Sequence, residues 1–156
     1  MLRFVVVLFM AGNVYPDQHE WMKKANPNEL AYAVLGDRAG CPISVDDTAR
    51  LISNSLNRAR IKALHQAAGQ KLVLGVYFTC RGDTGTGNYT LLVVTDFVNQ
   101  AAGYRYGLTP FRSYEMSGNV KSLKTQVRDA IDSAVTDYLR VNFDLASWPA
   151  FDENSL

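Results

Sequence analysis

The stretch that decides the fold runs from Lys71 to Phe97. It opens Lys71-Leu72-Val73-Leu74-Gly75-Val76-Tyr77-Phe78-Thr79-Cys80, crosses Arg81-Gly82-Asp83-Thr84-Gly85-Thr86-Gly87-Asn88, and resumes as Tyr89-Thr90-Leu91-Leu92-Val93-Val94-Thr95-Asp96-Phe97. Leu72, Leu74, Val76, Phe78 and Cys80 share one face at period two, with Val73, Gly75, Tyr77 and Thr79 on the other, which is the spacing of a strand. The polar, glycine-rich run that follows has no periodicity and reads as a loop. Two strands about such a loop predict a β-hairpin. A third strand is expected within Tyr104 to Tyr114, bent or ended at Thr109-Pro110 because proline has no amide to give an interior ladder.

On the N-terminal side, Ser44-Val45-Asp46-Asp47 offers a capping hydroxyl and two carboxylates for the positive end of a helix. Val45, Ala49, Ile52, Leu56, Ala59 and Ala63 then recur at helical spacing, with Gly69 as the stop. On the C-terminal side, Val120, Leu123, Val127, Ala130, Ile131, Ala134, Tyr138 and Leu139 predict a second helix over Asn119 to Asn142. Glu29 to Leu35 stays open. Asn26-Pro27-Asn28-Glu29 and Gly36 would bound a helix, whereas Leu30, Tyr32 and Val34 alternate as in a strand. The expected fold is α+β, two long amphipathic helices packed on a three- to four-stranded antiparallel sheet, in the order (β/α)-α-β-β-β-α.

A chain of 156 residues, 47% hydrophobic and 20% charged, suits one compact domain. The expected division is a signal peptide at 1–16, a linker at 17–28, the α+β domain at 29–143 and an acidic, aromatic tail at 144–156 with Trp148 and Phe151. Met1-Leu2-Arg3 precedes the apolar run Phe4 to Ala11, the pattern of an export leader, with cleavage placed loosely between Ala11 and Asp17. That run is shorter than the ~20 apolar residues a membrane span needs, so no stable membrane anchor is expected. A buried N-terminal strand in a cytosolic protein is the competing reading of the same run. Cys41 and Cys80 are the two cysteines, and an even pair in an exported chain is expected to be joined. Closing that loop is worth roughly 4 kcal/mol in the loop-entropy model. The expected location is periplasmic or extracellular.

Sixteen Lys and Arg against fifteen Asp and Glu leave a net charge of +1, which disfavours nucleic acid as a partner. The charges are unevenly spread. Arg50 to Arg81 holds Arg50, Arg58, Arg60, Lys62, Lys71 and Arg81 and no acid, whereas Asp129, Asp132, Asp137, Asp144, Asp152 and Glu153 face Arg140 alone in the C-terminal part. Arg50, Asn54, Arg58 and Lys62 recur every fourth residue, with Ile61 among them. This basic face is the candidate contact for a protein partner.

Catalytic motifs are absent. The loop after Arg81 has Asn88-Tyr89 where a phosphate loop needs Lys and Ser or Thr. No G-x-S-x-G elbow occurs, His19 and His65 are the only histidines, and His65 reads as a helix-capping or surface residue. Two cysteines and two histidines without ligand spacing give no metal site, and no cofactor is implied. The leading expectation is therefore a non-enzymatic, protein-binding or envelope-associated accessory factor. The alternative is a small exported enzyme, hydrolytic in type, with its site among the glycine-rich loop and Tyr77, Tyr89, Tyr104, Tyr106, Phe111 and Tyr114.

Overall fold

The hairpin supplies the two longest strands and the rest of the sheet forms around them. In the computed structural model, residues 20–36, 41–65, 67–83, 86–99 and 112–143 are described. They form a 3-10 turn at Glu20–Met22, β1 at Glu29–Gly36, α1 at Val45–Arg58, β2 at Lys62–Leu64, β3 at Leu72–Asp83, β4 at Asn88–Asn99, β5 at Arg112–Gly118 and α2 at Val120–Asn142. The spatial order is β2-β1-β3-β4-β5. β3 and β4 pair antiparallel from Leu72 opposite Asn99 to Asp83 opposite Asn88, and β5 pairs antiparallel on the far side of β4. β1 lies parallel to both β2 and β3.

The fold is α+β, but among the described residues the sheet has five strands rather than three to four and is partly parallel rather than antiparallel. The parallel part follows from α1, which carries the chain from the end of β1 back to the start of β2, as parallel neighbours require. Glu29 to Leu35, left open above, is strand β1. Leu30 and Tyr32 on β1, Leu72, Leu74, Val76 and Phe78 on β3, and Leu91, Val93 and Phe97 on β4 are all buried. Both helices pack on this side of the sheet and against each other, closing the core with Ile52 and Leu56 from α1 and Leu123, Val127, Ile131 and Tyr138 from α2.

The first helix is shorter than its sequence pattern. It ends at Arg58, and Arg60 takes a left-handed conformation with φ of 60°. The Arg60 amide donates to the Asn57 carbonyl at 3.0 Å and the Ile61 amide to the Leu56 carbonyl at 2.9 Å. These two bonds make a Schellman cap, with Arg60 where glycine is usual and Ile61 packed back on Leu56. Ile61, 1% exposed, thereby turns into the core, and Lys62 begins β2.

The segment expected as a linker also belongs in part to the domain. Met22 is fully buried, the Lys24 amide donates to Asn142 Oδ1 at 2.8 Å, and Asn142 Nδ2 donates to the Met22 carbonyl at 3.2 Å. Tyr138 Oη donates to the Pro27 carbonyl at 2.9 Å, and burial pushes that phenol's pKa up. The 1–16 leader and the 144–156 tail lie outside the described residues.

Candidate functional site

Each helix start is set by its cap. Ser44 Oγ accepts from the Asp47 amide at 2.9 Å, and Asn119 Oδ1 accepts from the Ser122 amide at 3.0 Å. Asp47, near the start of α1, contacts Lys124 near the start of α2 at 3.2 Å, and Arg58, at the end of α1, contacts Asp132 further along α2 at 2.6 Å. The two helices therefore run side by side in the same direction, with both positive ends at one pole. At α1 that end is matched by Asp46 and Asp47. The first turn of α2 holds no acid, and Lys121 sits there instead, against the dipole, with Lys124 in the next turn and paired with Asp47.

Between the helices lies an open groove of about 460 Å³, lined by Leu51, Val120, Lys121, Lys124, Thr125 and Arg128. Lys121, Lys124 and Arg128 fall at spacings of three and four, on one side of the helix. The Lys124 hydrogen bond holds the Asp47 carboxyl below the usual carboxylate range, helped by Arg50 and opposed by partial desolvation. The groove is a cationic rim over an aliphatic floor, chemistry that receives an anionic group attached to an apolar body.

The five residues expected to form a basic face are not brought together. Arg50, Asn54 and Arg58 are exposed on α1, but Ile61 is in the core and Lys62 is on β2. Arg50 is paired with Asp47 at 2.5 Å, and Asp132 Oδ1 accepts from both Arg58 and Ser55 Oγ. The contributors missed were Lys121, Lys124 and Arg128. Their signal was present as cations at helical spacing along the start of a helix whose first turn has no acid.

Cys41 and Cys80 are joined, with Cα atoms 5.3 Å apart, as expected. The bond ties the approach to α1 to the outer part of β3. At the same pole a second groove of about 630 Å³ is lined by Arg81, Gly82, Asn88, Tyr89, Thr90, Ser117 and Gly118, the region of the alternative, enzymatic reading. The Tyr89 ring lies directly on Gly82, where a Cβ would fall within the ring atoms. Of the other aromatic residues named for that reading, Tyr104, Tyr106 and Phe111 lie outside the described residues. Tyr114 Oη is buried without a hydrogen-bond partner among the described residues.

A hydroxyl–imidazole cluster also went unread in the sequence. Tyr32 Oη lies 3.0 Å from Ser53 Oγ and 2.5 Å from His65 Nδ1, with the His65 ring edge-on to the tyrosine. His65 follows β2 and does not cap a helix. The phenol bridges the two side chains and orients the imidazole.

Among the described residues, no group of three or more His, Cys, Asp or Glu could hold a metal ion, and no helix is long and apolar enough to cross a membrane. No protein-family model and no curated protein matches the chain. Among solved structures it is similar to a PelC dodecamer from Paraburkholderia phytofirmans, at 15% identity and a TM-score of 0.48, over 70% of this chain and 84% of that one. A likeness of that degree assigns neither activity nor assembly to this chain.

Proposed function

We propose that this chain is an exported domain, periplasmic or secreted, that acts by binding another protein or an envelope component rather than by turning over a substrate. The observation that carries the reading is the Cys41–Cys80 disulfide, because such bonds form and persist in oxidising compartments. The binding role rests on the groove between α1 and α2. Lys124 is paired with Asp47, but Lys121 stands in the first turn of α2 against the dipole, and a local rule broken at a surface groove supports a role in contact.

Two measurements test this. Intact mass of the native protein is expected to show loss of residues up to a point between Ala11 and Asp17, and a gain of two hydrogens on reduction. A native chain that retains Met1 and has both thiols open to alkylation overturns the location and the role drawn from it. For the groove, Lys121→Glu with Arg128→Glu is expected to abolish co-purification of partners from the cell envelope while leaving the fold intact by circular dichroism. Unchanged co-purification refutes the groove.

One observation favours a second reading, an exported enzyme. The groove of about 630 Å³ beside Tyr89 is large enough for a small ligand and combines Arg81 with Asn88, Thr90 and Ser117.

A further inference from the structure

The opposite face of the sheet is closed at one end, where Ala31, Val73 and Asp96 are buried, and its open end carries a feature independent of the groove between the helices. In an antiparallel sheet with one face on the core, the other face is expected to be polar. Here Leu92, in the middle of β4, is 43% exposed, and Leu35 at the end of β1 is 54% exposed on the same side. Leu92 stands between Thr79 on β3 and Glu115 on β5. One row further along, Thr90 stands beside Arg81. Arg81 and Glu115 are both exposed, and neither has an ion pair among the described residues.

Arg81 and Glu115 flank β4 diagonally, and the midpoint between them falls on β4 between Thr90 and Leu92. A two-fold axis lying in the plane of the face and crossing β4 at that point would set Arg81 of one copy over Glu115 of the other, twice over. The same operation carries Leu92 onto the threonines Thr79 and Thr90 of the facing sheet. We infer that this face is a self-complementary, isologous contact and that its occupant is a second copy of the chain, stacked sheet on sheet.

The size of the face sets the strength. Four strands at about 4.8 Å spacing, over the roughly 14 Å of strand between the Tyr77 and Arg81 rows, give on the order of 250–300 Å² per copy. A standard interface buries about 800 Å² per partner, so this dimer belongs with weak, transient associations.

Sedimentation velocity of the full chain over a range from about 1 µM to about 1 mM tests it. The wild type is expected to move from monomer towards dimer. Leu92→Asp, Arg81→Glu and Glu115→Arg are each expected to weaken association at least tenfold. The double exchange Arg81→Glu with Glu115→Arg is expected to restore it, because it exchanges the two signs across the same axis. All three positions are exposed, so unchanged circular dichroism and melting are expected for every variant. A wild type that remains monomeric throughout, an association untouched by Leu92→Asp, or a double exchange no better than either single variant overturns the inference.

Discussion

Replacing Arg60 by glycine separates two readings of the chain by the sign of the effect. Arg60 occupies the left-handed position of the cap that ends α1. For a residue with a Cβ, that conformation costs about 1–2 kcal/mol, which glycine does not incur. Glycine also gives the unfolded chain more freedom, worth roughly 0.5–1 kcal/mol in the other direction. Arg60→Gly is therefore expected to stabilise the protein by about 0.5–1 kcal/mol, with melting raised by about 1–4 °C in a chain of this size. Had the helix continued to Gly69, as the spacing of Ala59 and Ala63 suggests, glycine at position 60 would lie in a helix interior and cost about 1 kcal/mol. The assay is equilibrium urea unfolding with the disulfide intact, on Arg60→Gly and on the control Arg60→Ala. The control keeps the Cβ and is expected to stay within about 0.5 kcal/mol of the wild type. A lower midpoint for Arg60→Gly, or glycine and alanine variants of equal stability, refutes the cap.

Asp47 gives a pH test. Its folded pKa is depressed by Lys124 and Arg50, so its contribution is present above the ordinary carboxylate range and is lost as pH falls through its folded value. Asp47→Asn is expected to be less stable than the wild type at neutral pH, with the gap in urea midpoint narrowing as pH falls below the ordinary carboxylate range; a gap that does not narrow in acid refutes the pairing. Gly82→Ala places a methyl group where the Tyr89 ring lies and is expected to cost about 1–3 kcal/mol. The same change made in a Tyr89→Ala background is expected to be nearly neutral, and equal losses in the two backgrounds would show that the ring is not the obstacle.

The parts of the fold that the sequence made legible are those with long periodic signals. The hairpin of β3 and β4 and the second helix, with Asn119 as its cap, stand where the alternation and the helical spacing put them. β2 was hidden because it has three residues and because Ala63 happens to continue the helical series of Val45 to Ala59. The stop came from Arg60, a residue type that does not announce a left-handed turn. Strand direction was not readable either, since alternation is the same in parallel and antiparallel sheets, so β1 and β2 could not be oriented from their residues. At the candidate site, net charge by region points to Arg50 to Arg81 and away from Lys121, Lys124 and Arg128, where the local net charge is modest. Tyr32, Ser53 and His65 are separated along the chain by spacings with no motif, and only the pairing of β1 with β2 and the packing of α1 bring them together.

The Cys41–Cys80 bridge spans 39 positions, and within that span lies the connection from β2 to β3, where Lys71 is exposed. A tryptic nick after Lys71 would divide the backbone into one fragment holding β1, α1 and β2 and another holding β3, β4, β5 and α2. The two would remain covalently attached through sulfur, with β1 still hydrogen-bonded in place alongside β3. Such a clipped molecule would run as a single band until thiol is added and could keep its shape after its backbone is severed, a tolerance suited to surroundings rich in proteases.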